Sequence, residues 1–290
     1  MRHALIIGLF TPTLLAQAAS DAPSEARTRQ SIGSDLAATV QAREAESGSD
    51  SGVRLRALQT AGTSAAAVLP VESLVAARLR DAVATAGVAE PAARVDRARE
   101  LQARLTRIAD DLRFEPLHQA PAPASWPMPA PVGDVVIKEY PAYRMATAPM
   151  RNEGDMSAFW KLFRHIQAND IPMTAPVQMD HAADTDGVMG ERRAMAFLYE
   201  DDSRGQVGKA GKVEIVDVPA ATWASMGARG YETQDSIDDL RSALVTWLRQ
   251  HAPRYEVTGP MRVMGWNSPT VRGERRFYEV ELPLRLRRAG

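Results

Sequence analysis

The chain has 290 residues, enough for one large domain or two smaller ones with a real hydrophobic core. Its formal net charge is −1 and no basic stripe stands out, which argues against a nucleic-acid partner. The absence of cysteine excludes disulfides, thiolate zinc sites, iron–sulfur clusters and covalent c-type haem attachment.

The first eighteen residues have the pattern of a signal peptide. Arg2 and His3 form a short basic start, an apolar run follows, and Ala16-Gln17-Ala18 supplies a small-x-small cleavage pattern. The apolar run is shorter than the ~20 residues that a membrane-spanning helix needs. We therefore predict cleavage near Ala18 and a periplasmic or secreted bacterial protein with no transmembrane segment in its mature form.

Residues 19–115 are predicted to form a helical region. Residues 21–52 are rich in small and charged side chains and are expected to be loose or marginally helical. A helical hairpin is predicted at about 71–113, with Gly87 ending its first helix and Glu90-Pro91 opening its second. This region is either a spacer without chemistry or a docking surface for a protein partner, whose identity the sequence leaves unknown.

A proline-rich segment follows at residues 116–132. It contains six prolines and one aromatic residue, Trp126. Prolines at this density favour an extended, semi-rigid chain, so the segment is predicted to be a linker between two modules.

The remaining residues, 133–290, begin a second module with a strongly amphipathic helix at 155–167. Apolar side chains recur there at the spacing of one helical face, which predicts a buried stripe of Met156, Phe159, Trp160, Phe163 and Ile166. Asp170-Ile171-Pro172 should end the helix, because the residue before a proline is disfavoured in the α region. A strand carrying Met173, Val177 and Met179 is expected next, with Pro176 at an edge, a bulge or the strand start.

The same module contains an internal repeat of roughly 80 residues. Each copy has an opening strand, a helix, a Pro-containing turn and a closing strand. The matching pieces are 135–142 with 213–220, 155–167 with 235–250, 175–177 with 259–261, and 192–199 with 275–282. A duplicated strand–helix–strand–strand unit predicts two sheets or half-barrels about a pseudo-two-fold axis, each with a helix packed against it.

The helix, its stop and Met173-Thr174-Ala175-Pro176-Val177 resemble the SOUL/haem-binding-protein family, whose most recognisable motif is this string after an amphipathic helix. Gly265-Trp266-Asn267-Ser268-Pro269, with Arg275-Arg276 and Glu279-Val280 after it, is similar to the family's closing segment. The family usually has Arg-Arg-Asn-Glu-Val there, whereas this chain has Arg-Arg-Phe-Tyr-Glu-Val. The resemblance covers about residues 133–284 and implies an α+β fold. In that fold the duplicated units form a distorted antiparallel β-barrel with two flanking helices, and here the helical N-terminal region precedes it.

The resemblance also implies a function. It points to non-covalent binding of haem or a similar tetrapyrrole in an apolar groove beside the first helix of the domain, with basic residues near the propionates. Methionines suit such a groove because they adapt to irregular shapes, and arginine pairs well with carboxylates. The predicted cofactor-binding residues are Met156, Phe159, Trp160, Phe163, Arg164, Met173 and Arg272.

Two histidines, His165 and His181, are candidates for metal ligation, with an ordinary structural or surface role as the alternative. No catalytic motif is present, so no catalytic residue is predicted. By analogy with effector-binding domains, an alternative is a site for another small apolar ligand. The same analogy includes a hydrolase, in which Glu214 or Glu279 would act with Tyr278 in the cleft between the repeats.

Overall fold

We describe a computed structural model of the chain, which covers residues 28–43, 50–87, 90–150, 154–183 and 190–288. The predicted signal peptide, residues 1–18, lies outside these ranges. The chain divides into two compact units. The first comprises Met1–Leu69 and Leu79–Arg113, and the second comprises Pro70–Arg78 and Phe114–Gly290. In the described ranges no helix is both long and apolar enough to cross a bilayer.

The N-terminal region is helical throughout its described residues. α1 spans 28–43, α2 Ser51–Val68, α3 Leu74–Ala86 and α4 Arg94–Arg113, with a 3-10 turn at Pro91–Ala93. α2 begins at Asp50, whose side chain accepts a hydrogen bond from the Gly52 N–H at 2.8 Å. Gly87 follows α3 with φ 51°, the left-handed conformation that glycine adopts readily at a helix end.

The core of the first unit is aliphatic, and α2 packs against α4. Gly62 on α2 allows this, because a Cβ there would lie 2.7 Å from Val83 Cγ2 and 3.2 Å from Leu105 Cδ2. Residues 28–43 are helical, which is the second of the two states expected for residues 21–52. The sequence reasoning missed α2. Its apolar positions are mostly alanine and glycine, so helical periodicity is faint there.

The second unit is α+β. Its elements in chain order are β1 Val135–Tyr140, β2 Tyr143–Pro149, α5 Gly154–Ala168, β3 Val177–His181, β4 Arg192–Leu198, β5 Gly208–Ala210, β6 Val213–Val218, β7 Ala221–Arg229, α6 Gln234–His251, β8 Tyr255–Val257, β9 Arg262–Gly265, a 3-10 turn Gly273–Arg275, and β10 Phe277–Leu286. Both predicted helices of this module are therefore confirmed to within one residue at each end.

The ten strands form one antiparallel sheet in the order β1-β7-β10-β9-β3-β4-β2-β6-β5, with β8 paired to β10. The predicted barrel was wrong. In the described chain the sheet is open, and β1 and β5 stand at its two ends rather than pairing with each other. The order is symmetric about the β9–β3 pair, with β1, β2, β3 and β4 mirrored by β6, β7, β9 and β10. Superposition of the two units by a two-fold rotation stays a prediction.

Alternate residues of each strand face two different environments. One face of the sheet carries α5 and α6, and Phe197, Val280 and Leu282 belong to that core together with Leu162 of α5 and Leu244 of α6. We call this the helical face and the other the opposite face.

The opposite face is covered by the proline-rich segment, residues 114–131, which we call the strap. Phe114 stacks on Phe277 with ring centroids 5.9 Å apart, and the Ala124 N–H donates to the Glu200 carbonyl at 2.9 Å. The strap passes close to Gly227 of β7, where the Cβ of any other residue would lie 2.3 Å from the Ala130 carbonyl oxygen. The segment predicted as a linker is thus packed along the second unit.

Candidate functional site

α5 presents a different face to the core from the one predicted. Its buried residues are Ala158, Leu162 and Ile166, which pack on the helical face of the sheet. Met156 and Trp160 were expected to be buried, but they are 57% and 45% exposed. The predicted buried stripe follows the larger side chains and so lies to one side of the face that is actually buried. Hydrophobicity alone does not show which apolar side of a helix meets the sheet.

An exposed apolar edge remains on α5. Met156, Trp160 and Arg164 follow each other at intervals of four residues, so they share one side of the helix. Phe159 and Phe163 flank this edge and are half-buried. We call these five residues the α5 outer face.

The rings of the α5 outer face form one cluster. Phe159 and Phe163 stack with centroids 5.9 Å apart, and Trp160 meets each of them edge-on at 5.6 Å. Phe159 also meets Phe197 of β4 at 5.3 Å, which fixes the cluster to the sheet. The surface is therefore a set of ordered aromatic rings rather than one mobile side chain.

α6 provides a comparison within the same unit. It also packs on the helical face, with Ile237, Leu244, Trp247 and Leu248 buried. Its exposed positions at the same interval of four are Asp238, Ser242 and Thr246. Because both helices meet the sheet but only α5 leaves large apolar side chains exposed, packing alone does not explain the α5 outer face.

Charge distinguishes the two helices as well. α5 contains Lys161 and Arg164 with one acidic residue, Asp155, at its start. α6 contains three acidic and two basic residues, which are Asp235, Asp238, Asp239, Arg241 and Arg249. The exposed side of α5 thus pairs apolar rings with positive charge. Such a surface suits a flat apolar molecule that carries carboxylates.

The family motif fixes the chain after α5. Asp170 has φ 51°, and the Ile171 N–H donates to the Ile166 carbonyl at 2.9 Å, so the helix ends where the Asp-Ile-Pro sequence predicted. Thr174 Oγ1 donates to the Leu198 carbonyl at 2.6 Å. Met173 is half-buried against the helical-face core, and β3 begins only at Val177, after Pro176. The expected strand was therefore wrong for Met173, and Pro176 lies immediately before the strand start.

Arg272 is not brought to α5 by any described contact. It is exposed in the connection between β9 and β10, where it precedes the 3-10 turn. Glu274 in that turn pairs with Arg229 of β7, and the Ser268 N–H donates to Gln119 Oε1 of the strap at 2.8 Å. The contacts of this connection therefore lie with β7 and the strap.

Each candidate histidine already has a hydrogen-bond partner at a ring nitrogen, and His181 Nε2 is buried without a partner among the described residues. His165 Nε2 lies 2.8 Å from Tyr199 Oη, and burial lowers the pKa of His165. His181 is 1% exposed, with Nδ1 2.9 Å from the Gly190 carbonyl oxygen, and burial lowers its pKa as well. Within the described ranges, no group of three or more His, Cys, Asp or Glu side chains could hold a metal ion.

A buried charge network, which the sequence reasoning missed, lies on the opposite face. Glu279 and Glu281 of β10 are both 0% exposed. Lys138 Nζ contacts Glu279 Oε1 and lies 3.7 Å from Glu281 Oε1. Arg262 Nε donates to Glu281 Oε2 at 2.7 Å, and Tyr140 Oη donates to Glu281 Oε1 at 2.5 Å. Two cations thus balance two carboxylates.

Three further donors hold Glu279. Trp266 Nε1 donates at 2.7 Å, Ser225 Oγ at 3.0 Å and the Ala130 N–H of the strap at 2.6 Å. Tyr278, the partner that the hydrolase alternative requires, points to the helical face and donates to Ser236 Oγ at 3.0 Å. Glu279 and Tyr278 therefore lie on opposite faces of the sheet, and Glu214 is exposed on β6. These residues do not form one catalytic group.

Several solved structures are similar to this chain at low sequence identity. EcmrR, solved as the EcmrR-DNA complex in EcmrR-RPo, is 18% identical over 52% of this chain and 57% of its own, with a TM-score of 0.39. A hydrolase from Listeria innocua is 10% identical over 55% of this chain and 94% of its own, with a TM-score of 0.39. A transcription regulation protein from Staphylococcus aureus is 12% identical over 52% and 97%, with a TM-score of 0.34.

No curated protein matches the sequence significantly. The model of the SOUL heme-binding protein family matches residues 129–283, which is just over half of the 290 residues. This range contains α5, the Met-Thr-Ala-Pro-Val motif and the closing segment as far as the middle of β10. The chain therefore belongs to the SOUL haem-binding protein family.

Proposed function

We propose that this protein binds haem or a similar tetrapyrrole non-covalently on the α5 outer face. The single observation that carries the proposal is the exposed cluster of Met156 and Trp160 with the half-buried Phe159 and Phe163. Its ordered rings offer a flat apolar surface, and Arg164 and Lys161 lie on the same helix to meet carboxylates. The corresponding side of α6 lacks both features.

The residues fit a haem held by stacking better than one held by a histidine. Trp160, Phe159 and Phe163 would contact the ring, and Arg164 would pair with a propionate. A bound haem would supply an iron centre with a characteristic Soret absorbance. His165 already has Tyr199 as a partner and His181 is buried, so neither is proposed as the axial ligand.

Trp160→Ala should weaken haemin binding at least about tenfold, because it removes an aromatic ring that supplies much of the exposed apolar surface. The measurement is a haemin titration of the full mature chain, followed by the Soret band. Arg164→Glu should also weaken binding, since it places a carboxylate near the propionates. His165→Ala should leave the Soret maximum unchanged.

Tyr231→Ala is the matched control. Tyr231 is an aromatic residue that is 59% exposed near the start of α6, so its loss should leave the affinity unchanged. Equal losses of haemin affinity in the Trp160 and Tyr231 variants would mean that haemin adsorbs non-specifically to exposed aromatic residues. A shift of the Soret maximum in His165→Ala would mean that His165 is an axial ligand of the haem iron, which would contradict binding by stacking alone. If haemin causes no saturable change in the absorbance spectrum of the wild type, the ligand would be a different small apolar molecule.

We further propose that the protein is exported. The support is the basic start, apolar run and Ala16-Gln17-Ala18 pattern of the first residues. Protein purified from its native source should begin near Ala19 and fractionate with the periplasm or the medium. N-terminal sequencing that finds Met1 intact would contradict export.

A further inference from the structure

We propose that the strap is a removable plug over an aromatic binding slot on the opposite face of the sheet, with Trp126 as its built-in occupant. This slot is distinct from the α5 outer face, since the two lie on opposite faces of β2 and β4. The kind of ligand follows from the shape of the occupant, which is a planar aromatic ring system.

The slot is formed by two tyrosines and an arginine. The Trp126 ring meets Tyr140 with centroids 4.6 Å apart and Tyr143 with centroids 5.1 Å apart, at interplanar angles of 60° and 85°. Arg262 Cζ lies 4.6 Å from the centroid of the Tyr140 ring, and Arg262 Nη1 donates to Tyr143 Oη at 2.9 Å. Tyr140 and Arg262 are held by Glu281, and Tyr143 is held by Gln178, so residues of the sheet support the slot without help from Trp126.

Trp126 is held less completely than another tryptophan on the same face. Trp266 Nε1 donates to Glu279 Oε2 at 2.7 Å, whereas Trp126 Nε1 is buried and has no acceptor among the described residues. Arg262 Nη2, beside the same tyrosines, likewise has no hydrogen-bond acceptor within the described chain, although Arg262 Cζ lies 3.7 Å from the Trp223 ring centroid. Such donors favour an open, hydrated state or a ligand that brings an acceptor.

The middle of the strap is also strained. Ser125 has φ 57°, a left-handed conformation that is unfavourable for residues other than glycine. Prolines on both sides of Trp126 have no N–H to donate, which leaves the Ala124 N–H to Glu200 carbonyl bond as the main-chain link from the middle of the strap to β4 and the loop after it.

Both ends of the strap are anchored. Asn267 Nδ2 donates to the Leu117 carbonyl at 2.7 Å, and the Ala175 N–H donates to the Pro121 carbonyl at 2.9 Å. At the other end, the Ala130 N–H donates to Glu279 Oε1 at 2.6 Å, and just beyond the strap the Gly133 N–H donates to the Gly227 carbonyl at 2.8 Å. With fixed ends and a strained middle, the strap can open around Trp126 without unfolding the sheet.

Hydrogen exchange of the full wild-type chain tests the opening. The Ala124 amide should exchange at least about 100-fold faster than the Val280 amide in the middle of β10, because it opens locally while Val280 waits for global unfolding. Equal protection of the two amides, with the same denaturant dependence, would overturn the plug.

Indole tests the slot. Trp126→Gly leaves a space with the shape of an indole, so millimolar indole should raise its melting temperature by several degrees while changing the wild type little. Trp160→Gly is the control, because it removes an exposed ring and leaves no enclosed slot. Absence of an indole effect in a folded Trp126→Gly variant would overturn the slot, and if that variant fails to fold, the exchange result on the wild type decides.

Discussion

Arg262→Met should lower the free energy of unfolding by about 3–5 kcal/mol, because it leaves the buried carboxylate of Glu281 without its main cation. Arg262 is 1% exposed and Glu281 is 0% exposed, so water cannot replace the lost pairing. The measurement is urea denaturation of the full chain at pH 7. Lys138, 3.7 Å from Glu281 Oε1, should keep the loss toward the lower end of that range.

Two further variants test the cause of this loss. Arg262→Met combined with Glu281→Leu removes both charges and should recover at least half of the lost stability. Arg285→Met is the control, since Arg285 pairs with Glu256 on the surface of the same sheet with 68% of its side chain exposed. It should cost less than about 1 kcal/mol. Equal effects of Arg262→Met and Arg285→Met would show that the buried pair contributes no more than an exposed one.

The buried charge network should also make the stability of the folded protein sensitive to acid. Burial alone would raise the pKa of Glu281, but Arg262 and Lys138 outweigh it and hold this pKa below the ordinary value of 4.5. A carboxylate whose pKa is lowered on folding stabilises the folded state above its unfolded pKa and loses that contribution as the pH falls. Wild-type stability should therefore decline below about pH 4.5 more steeply than that of the double variant.

Leu162→Ala should lower the free energy of unfolding by about 2–5 kcal/mol, because it opens a cavity beneath α5. Leu162 is 0% exposed in the helical-face core. Trp160→Ala, two residues earlier, should cost no more than about 1 kcal/mol, since its side chain is 45% exposed. Urea denaturation of the two variants distinguishes the observed orientation of α5 from the predicted one. A larger loss of stability in Trp160→Ala than in Leu162→Ala would mean that Trp160 is buried as the sequence predicted. The α5 outer face would then not be an exposed surface.

Local patterns were sufficient for the helices of the second unit. Apolar spacing predicted α5 and α6, and Asp170-Ile171-Pro172 predicted the end of α5, because these signals depend on neighbours within a few residues. The family motif and the closing segment likewise identified the domain from residues close together in the chain. These features were available from the sequence by itself.

The orientation of α5 could not be predicted in the same way. Large side chains dominate a hydrophobicity pattern, so the predicted stripe favoured Met156 and Trp160 over Ala158. The sheet accepts Ala158, Leu162 and Ile166 instead, because the small alanine lets the helix lie close to β2 and β4. Only the packing partner decides which apolar side of a helix is buried.

The buried charges were hidden for a related reason. In β10, Glu279 and Glu281 alternate with Tyr278, Val280 and Leu282, a pattern typical of a strand with one face in water. The strap covers that face, although it precedes β10 by about 150 residues, as the Ala130–Glu279 hydrogen bond shows. A local pattern predicts which side chains share a face of the sheet. Contacts between distant parts of the chain decide whether that face meets water or protein, and so only the tertiary structure could reveal the buried network and the slot that Trp126 fills.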